Sequence, residues 1–178
     1  VHLFGHPCEM DALLTLKKKY NFLLIEDCAE AHGATYHGKV VGSFGEAGCY
    51  SFYANKIITT GEGGMMTTND SELAAKAHCM KTFSFSPEKR FTHIGMGYRY
   101  TMTNLQAAVG LAQLEILNSS IAAKRKMATF YAKHLKKIPG IVVPAEKKDC
   151  QSVFWMYAIL VKESEFGISR DQLMKELH

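Results

Sequence analysis

The chain has no apolar run near the roughly 18–20 residues that cross a bilayer, no C-x-x-C pair, and no Gly-rich stretch ending in Lys-Ser or Lys-Thr. The first absence removes a membrane-spanning helix, and with it a membrane partner. The second bears on five scattered cysteines, Cys8, Cys28, Cys49, Cys79 and Cys150. Odd in number and unpaired in spacing, they argue for free thiols in a reducing, cytoplasmic setting rather than a disulfide framework. The third removes a P-loop, because "GEGG" at 61–64 also fails to open a helix as G-x-G-x-x-G would. His2, His6 and Cys8 have donor-rich spacing, but no second cluster completes a tetrahedral zinc site, so no metal is expected. No Ser-His-Asp or Cys-His nucleophile set stands out. Strong charge is also lacking: the net charge is +4, much of it between residues 122 and 149. There Met127, Phe130, Leu135 and Ile138 are interleaved at near-helical spacing, which reads as a solvated helix face and not a nucleic-acid patch.

What is present is a globular α/β pattern. An apolar fraction of 47% and a charged fraction of 21% over 178 residues allow a real core. "VHLFG" reads as a strand, "CEMDALLTLKKKY" as an amphipathic helix, and "NFLLIED" as a strand buried on both faces, together a βαβ unit with a parallel sheet. "GCYSFYA" and "GGMMTTN" read as two more strands, and Asn69 or Asp70 caps the helix "SELAAKAHCMK". Residues 84–102 show no period and read as a long loop of the kind that carries function. "TNLQ" is a capping box opening a long helical region that "NSS" at 118–120 interrupts and Pro139-Gly140 ends. "IVVP" and "SVFWMYAILV" look strand-like and suggest a second small α+β domain from about residue 125. Both ends look abrupt, and the expectation is a piece of a longer protein.

Two residues draw attention. Asp27 ends the most apolar strand, where ligands gather in open α/β sheets. Alone it could equally cap the following "CAEAHGA" as an Asx turn. Lys56, between aromatic residues and a Gly run, could simply reach solvent. Together they fit a Schiff-base site, with a lysine amine for the aldehyde of pyridoxal phosphate and an acid for its pyridine nitrogen. Ser51, five residues before the lysine, could bind the cofactor phosphate or make an ordinary hydrogen bond.

With those residues in view, the sequence resembles the DegT/DnrJ/StrS-type sugar-nucleotide aminotransferases, which are fold-type-I pyridoxal-phosphate enzymes. "VHLFGHPCEMDAL", "LIEDCAEAHGATYHGKVVGSFGEAGCYSF", "SFYANKIITTGEGGMMTTND" and "YTMTNLQAAVGLAQLE" carry the resemblance from residue 1 to about 117. It implies a large cofactor domain over residues 1–124, with a mixed, mostly parallel sheet and flanking helices, followed by part of a small C-terminal domain over 125–178. It implies Lys56 as the cofactor lysine and proton carrier, Asp27 as the partner of the ring nitrogen, and Ser51 as a phosphate ligand. Glu30 falls where many members carry Gln near the ring's phenolic oxygen. Arg99, in "GYRYTM", stands where many members have an Asn that reaches the neighbouring subunit's cofactor phosphate. A forked guanidinium suits that task. His32 lies beside the cofactor segment and receives no role.

Within the family, "GHPCEMDAL" and "EDCAEAHGA" are most similar to the branch that makes GDP-perosamine from GDP-4-keto-6-deoxymannose. The implied activity is transamination of a nucleotide-diphosphate keto-sugar for surface polysaccharide, with glutamate as donor and a homodimer as the working form. A sugar dehydratase of similar fold would carry His in place of Lys56, and a ligand-binding homologue without turnover is the non-enzyme alternative. The family's N-terminal phosphate loop and stacking aromatic residue are not in this chain, so on its own it is expected to be a poor, aggregation-prone catalyst.

Overall fold

In the computed structural model, which describes residues 1–178, the chain opens on a 3-10 turn at Leu3–Gly5 rather than a strand. Phe4 has φ 54°, a left-handed conformation that ends any extended run. Only the His2 N–H reaches sheet territory, donating to the Asp27 carbonyl at 3.0 Å. Helix α1, Met10–Tyr20, follows, with three lysines in its last turn and a left-handed Asn21 closing it.

Strand β1 is short, Ile25–Asp27, and it is not buried on both faces. Leu23 and Ile25 are 79% and 66% exposed, because one side of this sheet is uncovered. A small antiparallel pair, β2 (Thr35–Tyr36) and β3 (Lys39–Val40), leads to β4, Ala47–Ser51, and β5, Gly64–Thr67. The sheet order is β1-β4-β5: β1 runs parallel to β4, and β4 antiparallel to β5. The βαβ unit expected of "VHLFG", the first helix and "NFLLIED" does not form, because its first strand is a turn; the parallel pair is instead β1 with β4, joined through the β2–β3 hairpin.

Asp70 caps α2, Ser71–Lys81, by accepting the N–H groups of Glu72 and Leu73. Residues 82–102 form an irregular segment held by two isolated bridges, Thr82 to Arg99 and Phe85 to His93. The Thr103–Gln106 capping box starts α3, Asn104–Glu115. The helical run breaks at Ile116, and "NSS" forms the first turn of α4, Leu117–Leu135.

Helix α4 passes through residue 125 without interruption and sends Ile121 and Ala128 into the core. Strands β6 (Ile141–Val142), β7 (Cys150–Gln151) and β8 (Leu160–Val161) follow, then the short helices α5 (Glu163–Phe166) and α6 (Arg170–Glu176). The apolar run expected as one strand is broken by Phe154 at φ 48°. Just before this run β7 pairs with β2, and at its start the Val153 N–H donates to the Gly5 carbonyl, returning the chain to its beginning. Val153 and Trp155 thereby join Cys28, Ala31, Ala34, Val41, Ile57 and Ile121 in the main core. No helix is long and apolar enough to cross a membrane.

Candidate active site

The pleat of β1 separates two adjacent acids. Successive side chains point to opposite faces, so Glu26 enters the packed face while Asp27 joins Cys49 and Ser51 on the open one, in the register Glu26–Gly48, Asp27–Cys49. Glu26 is 3% exposed. Its carboxylate accepts the N–H groups of Gly42 (2.7 Å), Phe44 (2.6 Å) and Gly45 (2.7 Å), and the His2 Nε2–H at 3.1 Å. His2 Nδ1 accepts the Cys8 N–H at 3.0 Å, which fixes the neutral tautomer with the proton on Nε2. Burial opposes the Glu26 charge, but His2 and the three backbone donors outweigh it and bring the carboxyl down to about 2. Gly42 lets the loop approach: its φ is +85°, and a Cβ there would lie 2.2 Å from Tyr50 Oη. Although His2, Glu26 and Cys28 bring metal-ligating atoms within 4.8 Å of one another, the hydrogen bonds already engage both His2 nitrogens and both Glu26 oxygens. The cluster is a structural knot.

On the open face, Asp27 and Ser51 end the two parallel strands at their carboxyl edge, the position where α/β sheets receive ligands. Asp27 is exposed, and its Oδ1 accepts the Ala29 N–H at 3.0 Å in an Asx turn. The Ser51 hydroxyl oxygen accepts the Tyr53 N–H at 3.3 Å. Desolvation, then the Asp27 charge, push the Cys49 thiol between them upward, so it stays protonated. Lys56 follows in a turn closed by its own N–H to the Tyr53 carbonyl, 3.0 Å. It is half-buried, and its ammonium lies over the Trp155 indole, 3.9 Å from the ring centroid. Glu30 accepts the Phe4 N–H at 2.6 Å and thus steadies the opening turn. Arg99 is exposed on the 82–102 segment, opposite Thr82. Asp27 and Ser51 share a face and Lys56 sits one turn away, while Glu30 and Arg99 face other neighbours.

Two further residues lie beside Lys56: Trp155, which the sequence did not single out, and His32, to which it gave no role. Trp155, 8% exposed, donates its Nε1–H to the Asn55 carbonyl at 2.8 Å. His32, 3% exposed, lies between the rings of Tyr50 and Phe52, and neither of its nitrogens has a hydrogen-bond partner. Burial, then the Lys56 charge, bring His32 down to about 4, so it is neutral near pH 7. The only hint in the sequence is "EAHGA", five residues past Asp27.

The residues present suit pyridoxal phosphate. Lys56 is an amine with no carboxylate paired to it. Asp27 has one oxygen free of protein donors. The Ser51 hydroxyl proton is not given to any protein acceptor. An aldehyde, a pyridine nitrogen and a phosphate call for those three groups.

Comparison with known proteins agrees. The profile of the DegT/DnrJ/EryC1/StrS aminotransferase family matches residues 1–178. A GDP-perosamine synthase of Caulobacter vibrioides is 44% identical over 178 residues, covering 99% of this chain and 48% of the relative. One from Escherichia coli O157:H7 is 43% identical over 177 residues, covering 99% and 47%. Among solved structures, S. venezuelae DesV superposes with a TM-score of 0.90 at 31% identity, covering 99% of this chain and 46% of that one. DesI, solved with its TDP-sugar product, gives 0.89 at 30% identity, covering 99% and 44%. The chain spans about half the length of the curated relatives it matches.

Proposed function

Because the chain belongs to the DegT/DnrJ/EryC1/StrS aminotransferase family, whose members depend on pyridoxal phosphate, we propose that it forms the cofactor-bearing part of a sugar-nucleotide aminotransferase. The observation that carries the proposal is the placement of Asp27 and Ser51 at the carboxyl edge of one parallel strand pair, with the uncountered amine of Lys56 one turn further on. Bound pyridoxal phosphate supplies an electron sink and a carbonyl that receives the amino group. In this reading Lys56 would hold the aldehyde carbon through its amine and would carry a proton at the substrate carbon. Asp27 would keep a proton on the pyridine nitrogen and Ser51 would donate to the phosphate; the resemblance would further give Glu30 the phenolic oxygen and Arg99 the phosphate across a subunit boundary, although in this chain both face other neighbours.

Similarity to GDP-perosamine synthases supports GDP-perosamine as the product; the reading adds, as what the family resemblance implies, GDP-4-keto-6-deoxymannose as acceptor, glutamate as donor, and a cytoplasmic homodimer that feeds surface-polysaccharide synthesis. The exposed Leu105, Leu111 and Leu114 of α3 are the apolar surface offered for such assembly. The test is to incubate the protein with pyridoxal phosphate, reduce with borohydride and map the modified peptides. Selective label on Lys56 is expected. Label spread evenly over the lysines, or none, would end the reading.

A further inference from the structure

We infer that Trp155 is the positioning residue for Lys56: its indole face holds the ammonium, and its ring N–H fixes the turn that presents the lysine. The inference rests on the reading of Lys56 as the amine that attaches the cofactor. Two contacts converge on the same side chain. The Lys56 nitrogen lies 3.9 Å from the ring centroid, inside the roughly 6 Å over which an aromatic face attracts a cation. The Nε1–H holds the carbonyl of Asn55, the residue just before the lysine, at 2.8 Å.

The platform is itself fixed. Trp155 is buried in the main core, and its carbonyl accepts the Lys124 ammonium at 3.4 Å. Three residues earlier, the Ser152 carbonyl accepts from Arg125, which also grips Glu146. The lysine side chain is thus the adjustable partner.

No acid competes with the ring at ion-pair distance. His32 is buried without hydrogen-bond partners, Lys124 is held on the Trp155 backbone carbonyl, and no carboxylate pairs with Lys56. A carboxylate would hold the ammonium tightly and withdraw the amine from chemistry. A ring face restrains it by only about fivefold at a partly exposed site. That attraction ends once the nitrogen loses its charge. Trp155 therefore parks the lysine without locking it.

The test compares Trp155→Phe with Trp155→Leu, both without cofactor. Each protein is treated briefly with acetic anhydride, which attacks only the neutral amine, and Lys56 labelling is read by mass spectrometry against exposed Lys133. Trp155→Leu is expected to raise the Lys56 to Lys133 ratio about fivefold. Trp155→Phe, which keeps a ring face and loses the N–H, is expected to raise it about twofold or less. An unchanged ratio in Trp155→Leu overturns the inference. So does an equal rise at Lys124, which would mean a loosened core.

If neither variant folds, Lys56→Met serves instead. Trp155 is the sole tryptophan, so its emission must change when the neighbouring cation is removed, and unaltered emission overturns the inference. The borohydride mapping judges cofactor attachment separately, because the anhydride ratio needs no cofactor.

Discussion

Replacing Glu26 by Gln changes one atom in the most heavily bonded side chain of the fold. One carboxylate oxygen accepts the Phe44 and Gly45 N–H groups, and the other accepts Gly42 N–H and His2 Nε2–H. In either amide orientation, Gln turns an NH₂ toward two donors. His2 cannot respond by switching tautomer, because its Nδ1 already accepts from Cys8. Two buried donors without acceptors, at roughly 1–3 kcal/mol each, give a loss of about 3–4 kcal/mol. The pKa gives a similar figure. A carboxyl brought from its ordinary 4.5 to about 2 contributes about 3 kcal/mol, at ~1.36 kcal/mol per tenfold change in acidity constant. The sign follows from the depressed folded-state value. The contribution is complete above pH 4.5 and is lost as pH falls toward 2. Urea denaturation at pH 7 should therefore show Glu26→Gln about 3–4 kcal/mol less stable. The gap should shrink steadily when the pair is compared from pH 5 down to pH 2.5. A gap under 1 kcal/mol at pH 7, or one that does not change with pH, would refute the nest as a source of stability.

Asp27→Asn should behave in the opposite way. The residue is exposed and Asn keeps the Ala29 contact, so stability should stay within about 0.5 kcal/mol. Cofactor retention, read by borohydride trapping, should weaken about tenfold or more, as for a lost charge-assisted bond; a stability loss without a cofactor effect would make Asp27 purely structural. Gly42→Ala should cost about 3 kcal/mol, combining left-handed strain with overpacking against Tyr50. A urea midpoint equal to that of the parent would show that Tyr50 yields freely.

The sequence made some of this legible. The placement of Asp27 and Ser51 at strand ends, with Lys56 a turn further on, could be read because each lies near an apolar strand, and strand ends are where open sheets gather ligands. Glu26 was partly within reach: adjacent residues on a strand point to opposite faces, so Glu26 could not share the face of Asp27. Trp155 was not. It meets Asn55 across 100 residues of chain, and in the sequence it is one apolar residue in an apolar run. His2 carries no local signal for a carboxylate 24 positions away. The opening "VHLFG" misled because apolar content does not reveal that Phe4 turns left-handed. "NFLLIED" misled about burial because its covering layer is a tertiary matter, and here one face has none.

One carboxylate grips the amides of Gly42, Phe44 and Gly45, and through His2 it is linked to the amide of Cys8. These four hydrogens should exchange with solvent in concert, since exposing any one of them requires displacing the Glu26 carboxylate or the His2 ring that ties it to Cys8. The opening turn, the first strand and the 42–45 loop form one cooperative unit despite their separation along the chain. Asp27, the next residue in that strand, moves only when the unit does.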